Sequence, residues 1–336
     1  MANTGGSQGN HDEFVARCFQ DLELARAFFH HYLPAEILEQ IDLERVSLEE
    51  GSFVDEDLRR SYSDLNYAVP LRKGLQGDEK SRAYIYILVE HKSASDEFTV
   101  FQLLRYMVRI WQRELEAAKY RSGFRLPPIV PLVLHHGRTR FRAPVDFRDL
   151  VVSMPGVDAF VPQFRCLLVD LMSIGPDELP ESEVRLCAVL GVMRSVFGEE
   201  IDAALRDAAI RLATILDRPE TKDTLAAIMT YVLQSAGRMT DARLAEAIQP
   251  LGRVGVDAMS TLIERWKEEG RLEGREEGRV LSRQETILEI LTTRFERVPE
   301  PVSHFVRGIF DLERLARLTA AALKCDSLDQ FDESLK

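Results

Sequence analysis

Apolar residues at Phe14, Val15, Cys18, Phe19, Leu22, Ala25, Phe28 and Phe29 recur at helical spacing and predict an amphipathic opening helix, with a second helical stretch around Ala35 to Ile41. Ahead of them, residues 1–10 (MANTGGSQGN) are small and polar and read as a disordered tail. Asp55 to Arg60 reads as a charged linker or helix end. The period then changes. In YSDLNYAVPL, residues 62–71, Tyr62, Asp64, Asn66 and Ala68 fall on one face and Leu65, Tyr67 and Val69 on the other, which is the alternation of a strand.

A polar stretch with two glycines, 72–82, returns the chain to AYIYILVEHKS, whose β-branched and aromatic run from Ala83 to Val89 fits a doubly buried central strand. The two strands are expected to be antiparallel neighbours. Phe98 to Tyr120 has helical spacing, with Phe101, Leu104, Met107, Val108, Trp111 and Leu115 on the apolar face and Gln102, Tyr106, Arg109 and Arg113 on the polar one. Ile129 to Leu134 and Phe164 to Leu171 are further buried strands. This order predicts an α/β sandwich with a short mixed sheet flanked by helices, over residues 11–172.

After about Asp170 the strand pattern ends, and segments opening near Glu183, Ile201, Lys222, Asp241 and Asp257 are all helical, so residues 173–336 are expected to form an all-α C-terminal domain. Within it, 266–283 repeats Gly270, Gly274 and Gly278 in a strongly charged context. Each glycine costs a helix about 1 kcal/mol relative to alanine, so this segment reads as an exposed, weakly stable helix or linker. A helix-pairing role is the sharper alternative, and a homo-oligomer through this region is the corresponding expectation.

Composition adds limits. A hydrophobic fraction of 45% with 29% charged residues is that of a globular protein, and the apolar runs are far shorter than the roughly 20 residues of a membrane-spanning helix. Without a basic, apolar leader the chain is expected in the cytoplasm and not at a membrane. Cys18, Cys166, Cys187 and Cys325 lie far apart without metal-ligand spacing and read as buried thiols. The formal net charge of -12 argues against a polyanionic partner, but Arg105 to Arg148 holds ten Lys or Arg against three acids (Glu114, Glu116, Asp146). A local basic surface therefore keeps DNA open as a partner.

Glu90 and Lys92 end a strand whose interior is apolar and, two residues apart, leave the same face roughly 6–7 Å from each other. Antiparallel pairing can bring Asp64 beside Glu90. Two converging carboxylates with an amine nearby suit a hard divalent cation such as Mg2+, Mn2+ or Ca2+, with the backbone carbonyl of His91 as a further ligand. Such an ion polarises a phosphate and activates a water that Lys92 would position. The plain alternatives are a strand-end carboxylate at Asp64 and a solvated cation at Lys92. Asp12 is a further candidate ligand, although an aspartate at the start of a helix is more often a cap. His135 and His136, adjacent at a strand end, point to opposite sides and do not chelate one ion, so packing or phosphate contact is their expected role.

Ser63-Asp64, then Glu90-His91-Lys92, then Gln102-x-x-x-Tyr106 on the next helix resemble the PD-(D/E)XK nuclease superfamily, with Ser63 in place of the superfamily's proline. More specifically, HDEFVARCF, YILVEHKS, FQLLRYMVRIW and PLVLHHG resemble the Rpn family of recombination-promoting nucleases, also called YhgA-like transposases. The resemblance implies a restriction-endonuclease-like core, magnesium-dependent cleavage of DNA by Asp64, Glu90 and Lys92, and a recombination or mobile-element context in a bacterium. Gln102 and Tyr106, at i and i+4, are open between facing substrate and bonding helix to sheet, and Arg105 and Arg109 between solvent and phosphate. A non-catalytic DNA-binding or assembly module, and transposase-type strand transfer, are the competing functions.

Overall fold

The computed structural model describes residues 5–49, 63–72, 82–90, 96–175, 178–236, 239–295 and 298–333, and the described side chains do not include those of Asp12, Asp64 or residues 82–90. The chain divides into two compact units, Met1–Met259 and Ser260–Lys336.

In the first unit, helices α1 (Gly5–Phe19), α2 (Leu22–Tyr32) and α3 (Ala35–Leu38) precede strands β1 (Ser47–Leu48), β2 (Ser63–Pro70) and β3 (Arg82–Glu90). Helix α4 (Thr99–Ala117) leads to β4 (Ile129–His135) and β5 (Leu167–Asp170). The strands form one sheet in the order β1-β2-β3-β4-β5. Pairing is antiparallel from β1 to β3 and parallel from β3 to β5, so the sheet is mixed, as expected.

The opening helix is two helices. Asp21 ends the first and caps the second, its carboxylate accepting from the backbone N–H groups of Glu23 and Leu24, which an unbroken helix would not allow. Helix α1 also begins earlier than expected, at Gly5, so the tail reading of residues 1–10 does not hold beyond residue 4. Asp12 is therefore inside α1 and not at its start, which removes the capping role. The linker reading of 55–60 lies outside the described residues.

The two faces of the sheet have different covers. On one, α1 and α2 press on the odd-numbered side of β2: the Tyr67 hydroxyl donates to the Phe19 carbonyl at 2.6 Å, and Phe29 meets the Tyr67 ring edge-on at 5.1 Å. On the other, α4 buries Val100, Leu103, Tyr106 and Ile110 against Ala68, Val133, Phe147 and Cys166. Each fully buried large apolar side chain of this kind stabilises the fold by roughly 1.5–3 kcal/mol. The expected apolar face of α4 is corrected here: Phe101 and Val108 are 45% and 50% exposed, whereas Tyr106, assigned to the polar face, is 2% exposed. An aromatic ring with one polar atom buries more apolar area than it loses in desolvation, and the buried stripe rotates accordingly.

Beyond β5 the described chain is helical: α5 (Val184–Ser195), α6 (Ile201–Ala213), α7 (Pro219–Ser235), α8 (Asp241–Ala247) and α9 (Gly252–Phe295). The division into units falls inside α9, later than the 172/173 boundary expected from the loss of strand pattern. The reason is packing: Phe14 of α1 stacks on Tyr231 of α7 at 4.1 Å, and Arg185 of α5 is tied to Asp21 and Glu23 of α2 and to Thr224 of α7. The second unit holds α10 (Glu300–Arg307), α11 (Leu312–Lys324) and α12 (Leu328–Glu333), with its own core around Ile287, Leu291, Val306, Leu315, Leu318 and Phe331. All four cysteines are free and buried.

Candidate active site at the sheet end

Three strands bring candidate chemistry to one end of the sheet. Register pairs Asp64 with Leu88, Glu90 with His135, and His135 with Asp170. Because alternate residues share a face, positions 64, 88 and 90 lie on the same side of β2 and β3, and positions 133 and 135 continue that side onto β4. Val133 packs under α4, so this is the side that α4 covers. Positions 64 and 90 are diagonal neighbours across the antiparallel pair, a relation that places residues about 7–8 Å apart. The expectation of adjacent antiparallel strands is thus matched by the backbone. Lys92 and His91 lie outside the described residues.

Next to Glu90, the described side chains make a fixed corner. Nε2 of His135 donates to the Thr139 carbonyl at 2.9 Å and lies 4.0 Å from the Asp170 carboxylate. Asp170 in turn accepts from the backbone N–H groups of Phe141 and Met172 at 3.0 and 3.1 Å and from the Ser173 hydroxyl. The turn after β4 is therefore folded back onto the end of β5, and it carries exposed Arg138, Arg140 and Arg142. His136 faces the opposite side, as alternation requires: its ring stacks on Phe197 at 5.1 Å and lies 5.3 Å from that of His11.

On α4, Gln102 is partly buried and its Nε2 donates to Asp96 at 3.1 Å, which leans it toward the start of its own helix. Tyr106, one turn on, is part of the core beneath the sheet face. Arg105 is exposed and Arg109 half-buried. Arg113 is drawn to Glu49 at 3.2 Å. Of the predicted substrate contacts, Arg105 remains at the surface and Tyr106 is enclosed.

Of two further site-face residues, Asn66 was not singled out by sequence reasoning and His135 was read only for packing or phosphate contact. Asn66, two positions inward from Asp64, is 4% exposed, and neither atom of its amide has a hydrogen-bond partner among the described residues. His135, 1% exposed, likewise leaves Nδ1 without one. The signal for Asn66 was an amide in an otherwise apolar strand, and for His135 its place level with the end of the E-x-K strand. Arg185, which lines a pocket elsewhere in this unit, is paired with Asp21 and Glu23.

Among the described residues no helix is long and apolar enough to cross a membrane. No solved structure matches the chain. The inactive recombination-promoting nuclease-like protein RpnE of Escherichia coli K12 is 28% identical over 285 residues, covering 82% of this chain and 87% of the relative. The recombination-promoting nuclease RpnD of Escherichia coli O157:H7 is 28% identical over 231 residues, covering 66% and 80%. The recombination-promoting nuclease RpnA of Escherichia coli K12 is 36% identical over 127 residues, covering 38% and 40%. Relatives named as nucleases and relatives named as inactive thus both resemble it. A family model covers residues 9–224, which takes in the whole sheet and its helical covers, and by that match the chain belongs to the family described as "Putative transposase, YhgA-like".

Proposed function

We propose that the chain is a metal-dependent DNA endonuclease with a PD-(D/E)XK core, hydrolysing phosphodiester bonds in a recombination or mobile-element context. The observation that carries this reading is the register: it sets Asp64 and Glu90 on one face at one end of the sheet, with the E-x-K strand in the centre. The unpartnered amide of Asn66 and the imidazole nitrogen of His135 on the same face make that end polar, which suits a hydrated divalent cation better than an apolar core. The nuclease names of several relatives support the same class.

In this reading Asp64 and Glu90 would hold the cation, most simply Mg2+, together with the His91 carbonyl. When bound, the ion supplies Lewis-acid polarisation of the scissile phosphate and a more acidic water. Lys92 would orient that water and offset charge developing on the phosphate oxygens. Gln102 and the arginines at the rim, Arg105 among them, would meet the DNA backbone, since phosphate contacts position a duplex. A strand-transfer reaction has no separate support in the fold.

The test is cleavage of supercoiled plasmid by purified protein in magnesium, manganese, calcium or EDTA, beside Asp64→Ala and Lys92→Ala variants shown to be folded. Metal-dependent nicking lost in both variants is the expected result. Nicking that persists in them would assign the activity elsewhere, and no nicking with any ion, from protein that still binds DNA, would favour a non-catalytic DNA-binding module.

A further inference from the structure

Buried polar atoms without partners are rare in folded proteins, and each one calls for an explanation, a held water or ion among them. On the α4 side of the sheet Asn66 presents both Oδ1 and Nδ2, and His135 presents Nδ1, with no hydrogen-bond partner among the described residues. Oε1 of Gln102, on α4 itself, is in the same condition. Asn66 is two positions inward from Asp64 on β2, and His135 is level with Glu90 on β4. Register thus puts one residue with orphaned atoms beside each carboxylate position, Asn66 beyond Asp64 along β2 and His135 across from Glu90 on β4.

Their chemistry is complementary. The Thr139 carbonyl only accepts, so the hydrogen of His135 sits on Nε2 and a neutral ring leaves Nδ1 as an acceptor. Asn66 brings two donors and an acceptor. Water, which donates and accepts, satisfies the acceptor at one position and the amide at the other, and buried waters take about three such bonds. A cation that keeps several of its waters needs groups of this kind around it, beyond the residues that ligate it.

We propose that Asn66 and His135 are positioning residues that hold the water layer of the divalent cation at Asp64 and Glu90. The inference rests on the metal-dependent reading above and adds to it the two residues that fix the hydration of the ion. His135 acts through both ring nitrogens, since Nε2 fastens the arginine-bearing turn through Thr139 while Nδ1 faces the hydration layer.

The test needs neither DNA nor turnover. Thermal unfolding of the full chain is followed while Mn2+ or Ca2+ is titrated, because an ion that binds only the folded state raises the midpoint. The wild-type midpoint should rise, and Asp64→Ala should abolish the rise. Asn66→Leu should need roughly 10–100-fold more ion for half of the shift, as outer-layer substitutions at metal sites typically do, while its metal-free midpoint matches or exceeds wild type, since an unpartnered amide has been replaced by an apolar group of similar size. His135→Leu should show the same loss of ion affinity, with a lower metal-free midpoint from the lost bond to Thr139, and His135→Gln should recover part of the affinity. Asn66→Leu and His135→Gln carry the test if His135→Leu does not fold. Normal titration of both sites, with Asp64→Ala still silent, overturns the proposal and leaves the cation reading standing. No wild-type shift, or a shift unaffected by Asp64→Ala, overturns both.

Discussion

Cys18 sits under the junction of α1 and α2, and burial pushes its thiol up to about 12 against the nearby charges of Arg17 and Arg185, which act to lower it. Burial likewise raises Cys166, in the core beneath α4, to about 11. Because the folded state disfavours the thiolate, the unfolded chain releases these protons first as the pH rises. Stability is therefore whole below about pH 9, the ordinary thiol value, and declines from there toward pH 12. Urea unfolding between pH 7 and 10.5 should show this decline, and Cys18→Ala should flatten it while lowering stability at pH 7. An unchanged slope in Cys18→Ala would mean that Cys18 is not protected by burial. The same residue scale shows why part of the site was legible in sequence and part was not. Asp64 and Glu90 stand out because charge at a strand end is costly without a purpose, whereas Asn66 and His135 are residue types that normally find a partner when buried. Only the structure shows the Asn66 amide and Nδ1 of His135 without one, among the described residues.

At the scale of elements, period-two alternation marked β2 and the apolar runs marked β3 and β4, since central strands leave little ambiguity about which residues are inside. Strand β1 was missed: two residues carry no period, and it exists because Ser47 and Leu48 pair with Ala68 and Tyr67 across the edge of β2. The face of α4 was misjudged for a different reason, as amphipathic spacing fixes a stripe only to within a residue and Tyr106 decides it by volume. Helix α9 offers a sharper test of local rules, through one substitution with opposite effects. At Gly255 an added Cβ would come within 2.9 Å of Leu251 Cβ and 3.1 Å of the Ile248 carbonyl oxygen, neither of which is a movable side-chain end. At Gly278 it would meet nothing within 4 Å. Gly255→Ala should therefore destabilise by about 1–3 kcal/mol through overpacking, while Gly278→Ala should stabilise the helix by up to about 1 kcal/mol. Denaturant midpoints of the two variants decide it, and a shared sign would contradict the packing described around Gly255.

For the molecule as a whole, charge poses a problem that neither residues nor elements solve. A net charge of -12 repels DNA, yet the turn beside the candidate site exposes Arg138, Arg140 and Arg142, and Arg105 and Arg148 are exposed as well. The two effects have different reach. At about 0.01 M salt the screening length is about 30 Å, so a phosphate backbone approaching the basic turn still feels the acidic remainder of the chain; at about 0.15 M it is about 8 Å, and only the nearby arginines matter. Beyond that, added salt weakens the phosphate contacts themselves by counterion competition. DNA affinity measured in EDTA across about 10–500 mM potassium chloride should therefore pass through a maximum at intermediate salt. Arg140→Glu should lower affinity at every salt, and by the largest factor at the lowest, where its contact with phosphate is least screened. A steady fall from the lowest salt upward would show instead that the basic surface dominates the field at every distance, and that the acidic excess of the chain is placed where DNA never senses it.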